Sequence, residues 1–145
     1  MLKTAFTATF LIFLLSNLLS QTTPALSNYA KNVGLEMSES AFVAARPAAV
    51  KEDSLNSGPG EIWYSEECAD GNVSFLSFHV EKSGKHQLVG ATVYFWEPTA
   101  EQVARLFLGD PNSPDKKSWV VKNSTGKPVN VSVGEPRELM FELKK

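Results

Sequence analysis

Three side chains in this sequence have chemistry that could support catalysis or metal binding: the only cysteine, Cys68, and the only two histidines, His79 and His86. A reactive cysteine is a thiolate, and positive charge or an adjacent base is needed to stabilise it near neutral pH. The neighbours of Cys68 include Glu66 and Glu67, whose negative charge disfavours a further negative charge on the thiol. We therefore expect Cys68 to be an unreactive loop or partly buried thiol. A single cysteine also excludes an internal disulfide.

The two histidines could share a metal ion only in one form of the hairpin that carries them. A two-residue loop at Ser83 and Gly84 would place His79 and His86 diagonally on one face, about 7 Å apart at Cβ. A three-residue loop, with Gly84 in the left-handed conformation, would direct them to opposite faces. No residue spacing matches a zinc signature. We expect ordinary strand histidines, no metal and no cofactor.

Other catalytic patterns are missing from the sequence. The paired carboxylates, such as Glu66 and Glu67, lie in acidic loops, whereas acid and base catalysis needs two carboxyl groups in different environments. There is no G-x-S-x-G turn and no glycine-rich phosphate loop. We therefore predict no catalytic residue.

The central element is the stretch 73–95, which reads as a hairpin of two alternating strands. The two-residue loop pairs Phe78 with Val89, and the three-residue loop pairs Phe78 with Leu88. We favour the first register because its apolar face is cleaner: Leu76, Phe78, Val80, Val89, Ala91, Val93 and Phe95. The opposite face then carries Val73, Phe75, His79, Leu88, Tyr94 and Trp96.

Large apolar groups on the second face of the hairpin have two interpretations. A sheet open to water on one side normally alternates apolar and polar residues more strictly, so another element should cover this face. Alternatively, part of the face stays open as a patch or cleft for a ligand, because aromatic groups supply much of the energy at binding surfaces. The candidate ligand-binding residues are Phe75, His79, Tyr94 and Trp96.

A helix is predicted over residues 99–109. Thr99 and Gln102 have the spacing of a capping box, and Gly109 ends the helical pattern. Ala100, Val103, Ala104 and Phe107 recur at helical spacing, which predicts a buried side.

The remaining apolar stretches predict strands over 61–65, 119–121, 129–133 and 139–143. Their short connections favour antiparallel neighbours, because a parallel crossover needs a dozen or more residues. The expected fold is α+β: a single antiparallel or mixed sheet of about five to six strands, with one helix (99–109) packed on one face. A small β-barrel is the alternative.

The length of 145 residues predicts one core. Residues 1–27 have the basic start, apolar stretch and small-residue cleavage pattern of a signal peptide, with cleavage before Asn28. An uncleaved membrane anchor is the alternative. Residues 28–60 read as an irregular arm or linker, and 61–145 as the globular domain. A secreted or periplasmic location follows from the signal.

The charge narrows the range of partners. The formal net charge is −2, with 14 basic and 16 acidic residues scattered along the chain. Scattered charges with a slightly negative sum do not form the basic patch that binds a polyanion, so we expect no nucleic-acid partner. The partner would be an unknown protein or small ligand, and a membrane only if the N-terminal segment is uncleaved. N-x-[ST] sequons at Asn72, Asn123 and Asn130 would be surface glycosylation sites in a eukaryotic source.

These features predict a small exported, non-catalytic binding or accessory domain. An inhibitor of an exported hydrolase, acting through a loop such as 110–117, is the second hypothesis. An enzyme that uses Cys68, or the pair His79 and His86, is the third.

Overall fold

The computed structural model describes residues 33–53, 57–68 and 72–145. The predicted signal peptide and the beginning of the predicted arm lie outside these residues. Within the described ranges, no helix has the length and apolar character needed to cross a membrane.

The described residues form one open sheet with two helices. In chain order the elements are α1 (Glu39–Ala45), β1 (Val50–Lys51), β2 (Glu61–Glu67), β3 (Val73–Glu81), β4 (Gln87–Phe95), α2 (Ala100–Leu108), β5 (Trp119–Lys122), β6 (Pro128–Val133) and β7 (Glu138–Leu143). All neighbouring strands are antiparallel, in the order β1-β2-β3-β4-β7-β6-β5. The α+β prediction is therefore confirmed in outline. The sheet has seven strands instead of five to six, and the barrel alternative is wrong because the sheet does not close.

One face of the sheet forms the core. A row of buried cross-strand neighbours runs through six strands: Tyr64, Phe78, Ala91, Phe141, Val131 and Trp119. The ring of Phe42 in α1 packs against Phe78, with 4.7 Å between centroids. In α2, Ala100 and Ala104 are fully buried in the same cluster, and Trp119 Nε1 donates to the Gly109 carbonyl that follows this helix. Both helices therefore cover the same face.

The main difference from the prediction lies in the segment 28–60, which is expected to be an irregular arm but contains helix α1 in the structure. Its N-cap residue Ser38 accepts a hydrogen bond from the Ala41 amide. Phe42 is fully buried, and the Tyr64 hydroxyl donates to Glu39 over 2.7 Å. Burial and this carboxylate raise the pKa of Tyr64 to about 12. The two large apolar residues of this short helix, Phe42 and Val43, are adjacent in sequence, so they show no helical spacing, and periodicity could not reveal that tertiary contacts fix the segment.

Both predicted hairpin registers are wrong. The structure pairs Phe78 with Ala91, and Val80 with Leu88, across a five-residue connection, 82–86. Val89 is an extra residue in β4 and forms a β-bulge. The bulge shifts the alternation of side chains, so that Leu88 faces the core. A second shift, between Val73 and Phe75, buries Val73 as well. The other six residues predicted for the core face are buried as expected.

Helix α2 matches its predicted span, but its predicted capping box is wrong. Thr99 occupies the N-cap position with φ −112° and makes no side-chain capping bond. The Ala100 amide donates instead to the Pro136 carbonyl, 3.1 Å away in the turn between β6 and β7. A tertiary contact thus takes the place of the local cap.

Candidate functional site

The second face of the sheet carries no helix in the described part of the chain. Three cross-strand rows run over this open face. The first contains Trp63, His79, Gly90, Glu142, Asn130 and Val120; the second contains Ser65, Ser77, Thr92, Met140 and Ser132; the third contains Glu67, Phe75, Tyr94 and Glu138. In β2, β3 and β4 the second row is polar, with Ser65, Ser77 and Thr92, and it separates two aromatic groups. Of the two interpretations of this face, the covering element is therefore not seen among the described residues. Within these residues the face is open, as the second interpretation expects.

Phe75, Tyr94 and Trp96 form what we call the aromatic patch, at one end of the open face. The rings of Phe75 and Tyr94 stack with 4.0 Å between centroids and 6° between their planes. Trp96 follows β4 and is 58% exposed, while its amide donates to the Asn72 carbonyl over 3.2 Å. The patch thus joins a stacked pair on rigid central strands to an indole that is open to water.

A groove lies on each side of the aromatic patch. The first, of about 450 Å³, is lined by Ser74, Phe75, Tyr94, Phe95, Trp96, Pro98, Glu135, Pro136, Arg137 and Glu138. The second, of about 670 Å³, is lined by Glu52, Ser65, Glu66, Glu67, Cys68, Ser74, Phe75 and Trp96. Phe75 and Trp96 border both grooves, so they form the ridge between them. Apolar grooves edged by a few polar groups are the usual form of a ligand site.

Acidic side chains surround the aromatic patch. Burial, followed by the negative charge of Glu138, raises the pKa of Tyr94. Its hydroxyl is therefore neutral at physiological pH and lies within the field of that carboxylate. Glu66 is already paired, because Arg46 Nη2 lies 2.6 Å from its Oε1 and Arg46 Nε donates to its Oε2. Glu67 and Glu138 are not among the residues predicted for the site, since only the strand pairing places them in one row with Phe75 and Tyr94.

His79 lies on the open face as predicted, but apart from the aromatic patch. Its ring stacks on Trp63 with 4.5 Å between centroids. Its Nε2 lies 3.5 Å from a Glu61 carboxylate oxygen, without hydrogen-bond geometry. A separate cavity of about 580 Å³ borders His79, Glu61 and Glu142. The four predicted ligand-binding residues therefore divide into the aromatic patch, with three of them, and His79 alone.

The candidate catalytic and metal residues do not converge. His86 faces Glu39 of α1, with 3.7 Å between Nδ1 and the carboxylate, whereas His79 faces Glu61. Cys68 lies five residues beyond Trp63, the cross-strand partner of His79, or ~16 Å along a strand. Among the described residues, no group of three or more His, Cys, Asp or Glu side chains has the arrangement of a metal site.

The loop proposed for hydrolase inhibition, 110–117, is internally hydrogen-bonded. The Ser113 hydroxyl donates to Asp115 over 2.6 Å, and Asp115 accepts from the Lys117 amide. These bonds lower the pKa of Asp115. The Asn112 side chain accepts from the Val120 amide and donates to the Val120 carbonyl. The loop thereby covers the free edge of β5.

The three sequons differ in accessibility. Asn72 is exposed, whereas Asn130 is half-buried within the sheet. Asn123 is 4% exposed, and its side-chain nitrogen donates to Glu36 over 2.7 Å. The prediction of surface exposure at Asn123 is therefore wrong, because its side chain is buried in a contact with Glu36, which is 87 residues away in the sequence.

Comparison of the chain with protein-family models, with curated proteins and with solved structures finds no match.

Proposed function

We propose that this protein is a small exported binding domain without catalytic activity, and that its ligand binds at the aromatic patch. The observation that carries the proposal is the position of Trp96, which is 58% exposed on the ridge between two grooves. Exposing an indole to water forgoes the burial that normally stabilises it. A ligand that covers Trp96 recovers that free energy.

Rigidity also supports binding at the aromatic patch. Phe75 and Tyr94 belong to β3 and β4, which lie inside the sheet with paired strands on both sides. A stacked pair on such strands loses little conformational entropy when a ligand binds, because its rotamers are already fixed. Aromatic side chains in rigid positions are typical energetic centres of binding surfaces.

The test compares two variants that remove an exposed apolar side chain. Trp96→Ala alters the aromatic patch, while Leu106→Ala removes the 79% exposed leucine of α2. Calorimetric titrations use blocked pentapeptides of positive, negative and zero charge, and soluble oligosaccharides. We expect at least one probe whose affinity falls about tenfold in Trp96→Ala, as for a central aromatic contact, and is unchanged in Leu106→Ala. Equal affinities in both variants for every probe would contradict the proposal.

A second candidate is inhibition of an exported hydrolase by the loop 110–117. The observation in its favour is the internal bracing of that loop by Ser113 and Asp115, because rigid loops bind with a low entropic cost. Substitution of the exposed pair Lys116 and Lys117 by serine should then abolish inhibition of secreted peptidases and glycosidases. Inhibition that survives this change would exclude the loop.

A further inference from the structure

We propose that the ligand of the aromatic patch is an extended polypeptide segment with two basic side chains four positions apart. One basic group binds Glu67 and the other binds Glu138, while the segment between them crosses Phe75 and Tyr94. This inference rests on the proposed binding function and adds the chemistry and the shape of the ligand.

The first argument is charge. Five carboxylates line the two grooves, and Arg46 neutralises one of them, Glu66. The remaining four, with Arg137 as the one basic lining residue, give 4 − 1 = 3 negative charges. This local excess exceeds the −2 of the entire sequence. None of those four carboxylates forms an ion pair within residues 33–53, 57–68 and 72–145. The charge around the patch is therefore complementary to a cationic ligand.

The second argument is the spacing of the two carboxylates that end the aromatic row. Glu67 pairs with Phe75, Phe75 with Tyr94, and Tyr94 with Glu138. Three inter-strand steps of ~4.8 Å separate the ends, so their Cα atoms lie ~14 Å apart. A single metal ion needs its oxygen ligands within ~2.6 Å, and strand side chains stand roughly perpendicular to the sheet, so carboxylates at this spacing do not favour one shared ion. An extended peptide advances ~3.3 Å per residue, so positions i and i+4 are ~13 Å apart and match the row.

The third argument is the aromatic surface between the two carboxylates. A guanidinium group stacks on aromatic faces and binds a carboxylate through two parallel hydrogen bonds. Tryptophan is the strongest aromatic partner of a cation, and Trp96 adjoins Phe75 along both grooves. Arginine thus fits both parts of the site, and the two grooves offer space for side chains on each side of the ridge.

The test is calorimetric titration of the full mature chain with blocked pentapeptides. The probe is Arg-Gly-Ser-Gly-Arg; the controls have a single arginine, two adjacent arginines, or glutamate in place of both arginines. We expect the probe to bind most tightly. Glu67→Gln and Glu138→Gln should each weaken it about two- to fivefold, as for exposed ion pairs. The matched control Glu142→Gln removes the same charge from the same face of the sheet and should leave the affinity unchanged.

Several results would overturn the inference. These are equal affinity for the single-arginine peptide, no effect of Glu67→Gln and Glu138→Gln, or tighter binding of the polyamine spermine or of a second copy of this chain. If the tightest-binding probe is neutral or acidic and loses affinity in Trp96→Ala, the inference about a basic peptide is overturned, while the proposal that a ligand binds at the aromatic patch stands. If no probe loses affinity in Trp96→Ala, both the inference and the proposed function are contradicted. Melting curves that match wild type show that the variants are folded.

Discussion

At the scale of single residues, Glu36 is the most strongly perturbed carboxylate among the described groups. Hydrogen bonds from Lys127, Thr125 and Asn123, in that order of importance, lower its pKa from 4.5 to about 2. Glu36 also has a left-handed backbone, with φ 79°, and its amide donates to the Leu88 carbonyl over 2.7 Å. The residue therefore ties the segment before α1 to the turn between β5 and β6.

This arrangement predicts a pH dependence of stability. Because the folded-state pKa of Glu36 is depressed, its contribution is complete above pH 4.5 and is lost as the pH falls toward 2. Urea unfolding at pH 5 and at pH 2.5 should show a smaller loss of unfolding free energy for Glu36→Gln than for wild type. Thr125→Val, which removes one donor, should lie between them. Identical pH slopes for wild type and Glu36→Gln would contradict this assignment.

At the scale of elements, the hairpin of β3 and β4 fixes which side chains face the core. Leu88 is fully buried and Val89 is half-buried, the reverse of the favoured sequence prediction. Leu88→Ala should cost about 2–5 kcal/mol in unfolding free energy, as for other buried leucines. Val89→Ala should cost less than about 1 kcal/mol, because it is partly in water. A larger cost for Val89→Ala than for Leu88→Ala, measured by urea denaturation, would support the uninterrupted register instead.

The edge strand β5 permits a second prediction at this scale. The Asn112 side chain bonds both the amide and the carbonyl of Val120, so it substitutes for a neighbouring strand. Asn112→Ala should lower the unfolding free energy by about 1 kcal/mol and promote self-association, because an open strand edge pairs with other edges.

Sedimentation across a range of protein concentrations measures this association. Asn112→Asp is the matched control, since it keeps the acceptor for the Val120 amide and loses the donor to the carbonyl. We expect an intermediate effect. A monomeric Asn112→Ala variant with wild-type stability would show that the edge needs no cover.

The sequence was most informative where the pattern is local. Strands 61–65 and 129–133 and the helix that ends at Gly109 follow from alternation, helical spacing and a terminal glycine, and the structure has elements at these places. The bulge at Val89 and the contact of Ala100 with Pro136 depend on packing between distant segments. No local signal in the chain encodes either of them, so sequence reasoning missed both.

The features of the candidate site also divide into local ones, which the sequence predicts, and non-local ones, which it does not. Phe75 and Tyr94 could be assigned to one face because side chains in a strand alternate. Their stacking depends on the register of β3 against β4, in which Phe75 pairs with Tyr94. The row that they form with Glu67 and Glu138 also requires the registers of β2 with β3 and of β4 with β7. The pairing of β4 with β7 is non-local, because α2, β5 and β6 lie between these strands in the chain, so it could not be read from the sequence.

At the scale of the whole molecule, both helices shield one face of the sheet and leave the other to the solvent within the described residues. Helix α1 takes part in the single core, since Phe42 contacts both Tyr64 and Phe78. Phe42→Ala should therefore destabilise the entire fold, by about 3–5 kcal/mol, in one cooperative transition. The adjacent, 43% exposed Val43 is the control, because Val43→Ala should change stability by less than about 0.5 kcal/mol. A separate early transition in Phe42→Ala would mean that α1 unfolds independently.

Nuclear magnetic resonance mapping of the bound state tests the central claim most directly. The backbone amides of the full chain are followed while the tightest-binding probe is added. We expect the shifts of Ser74, Phe75, Tyr94 and Trp96, and the side-chain signal of the Trp96 indole, to change in saturable fashion. The amides of the loop 110–117 should remain constant. Changes confined to that loop or to the cavity beside His79, with the Trp96 signals unmoved, would contradict the account.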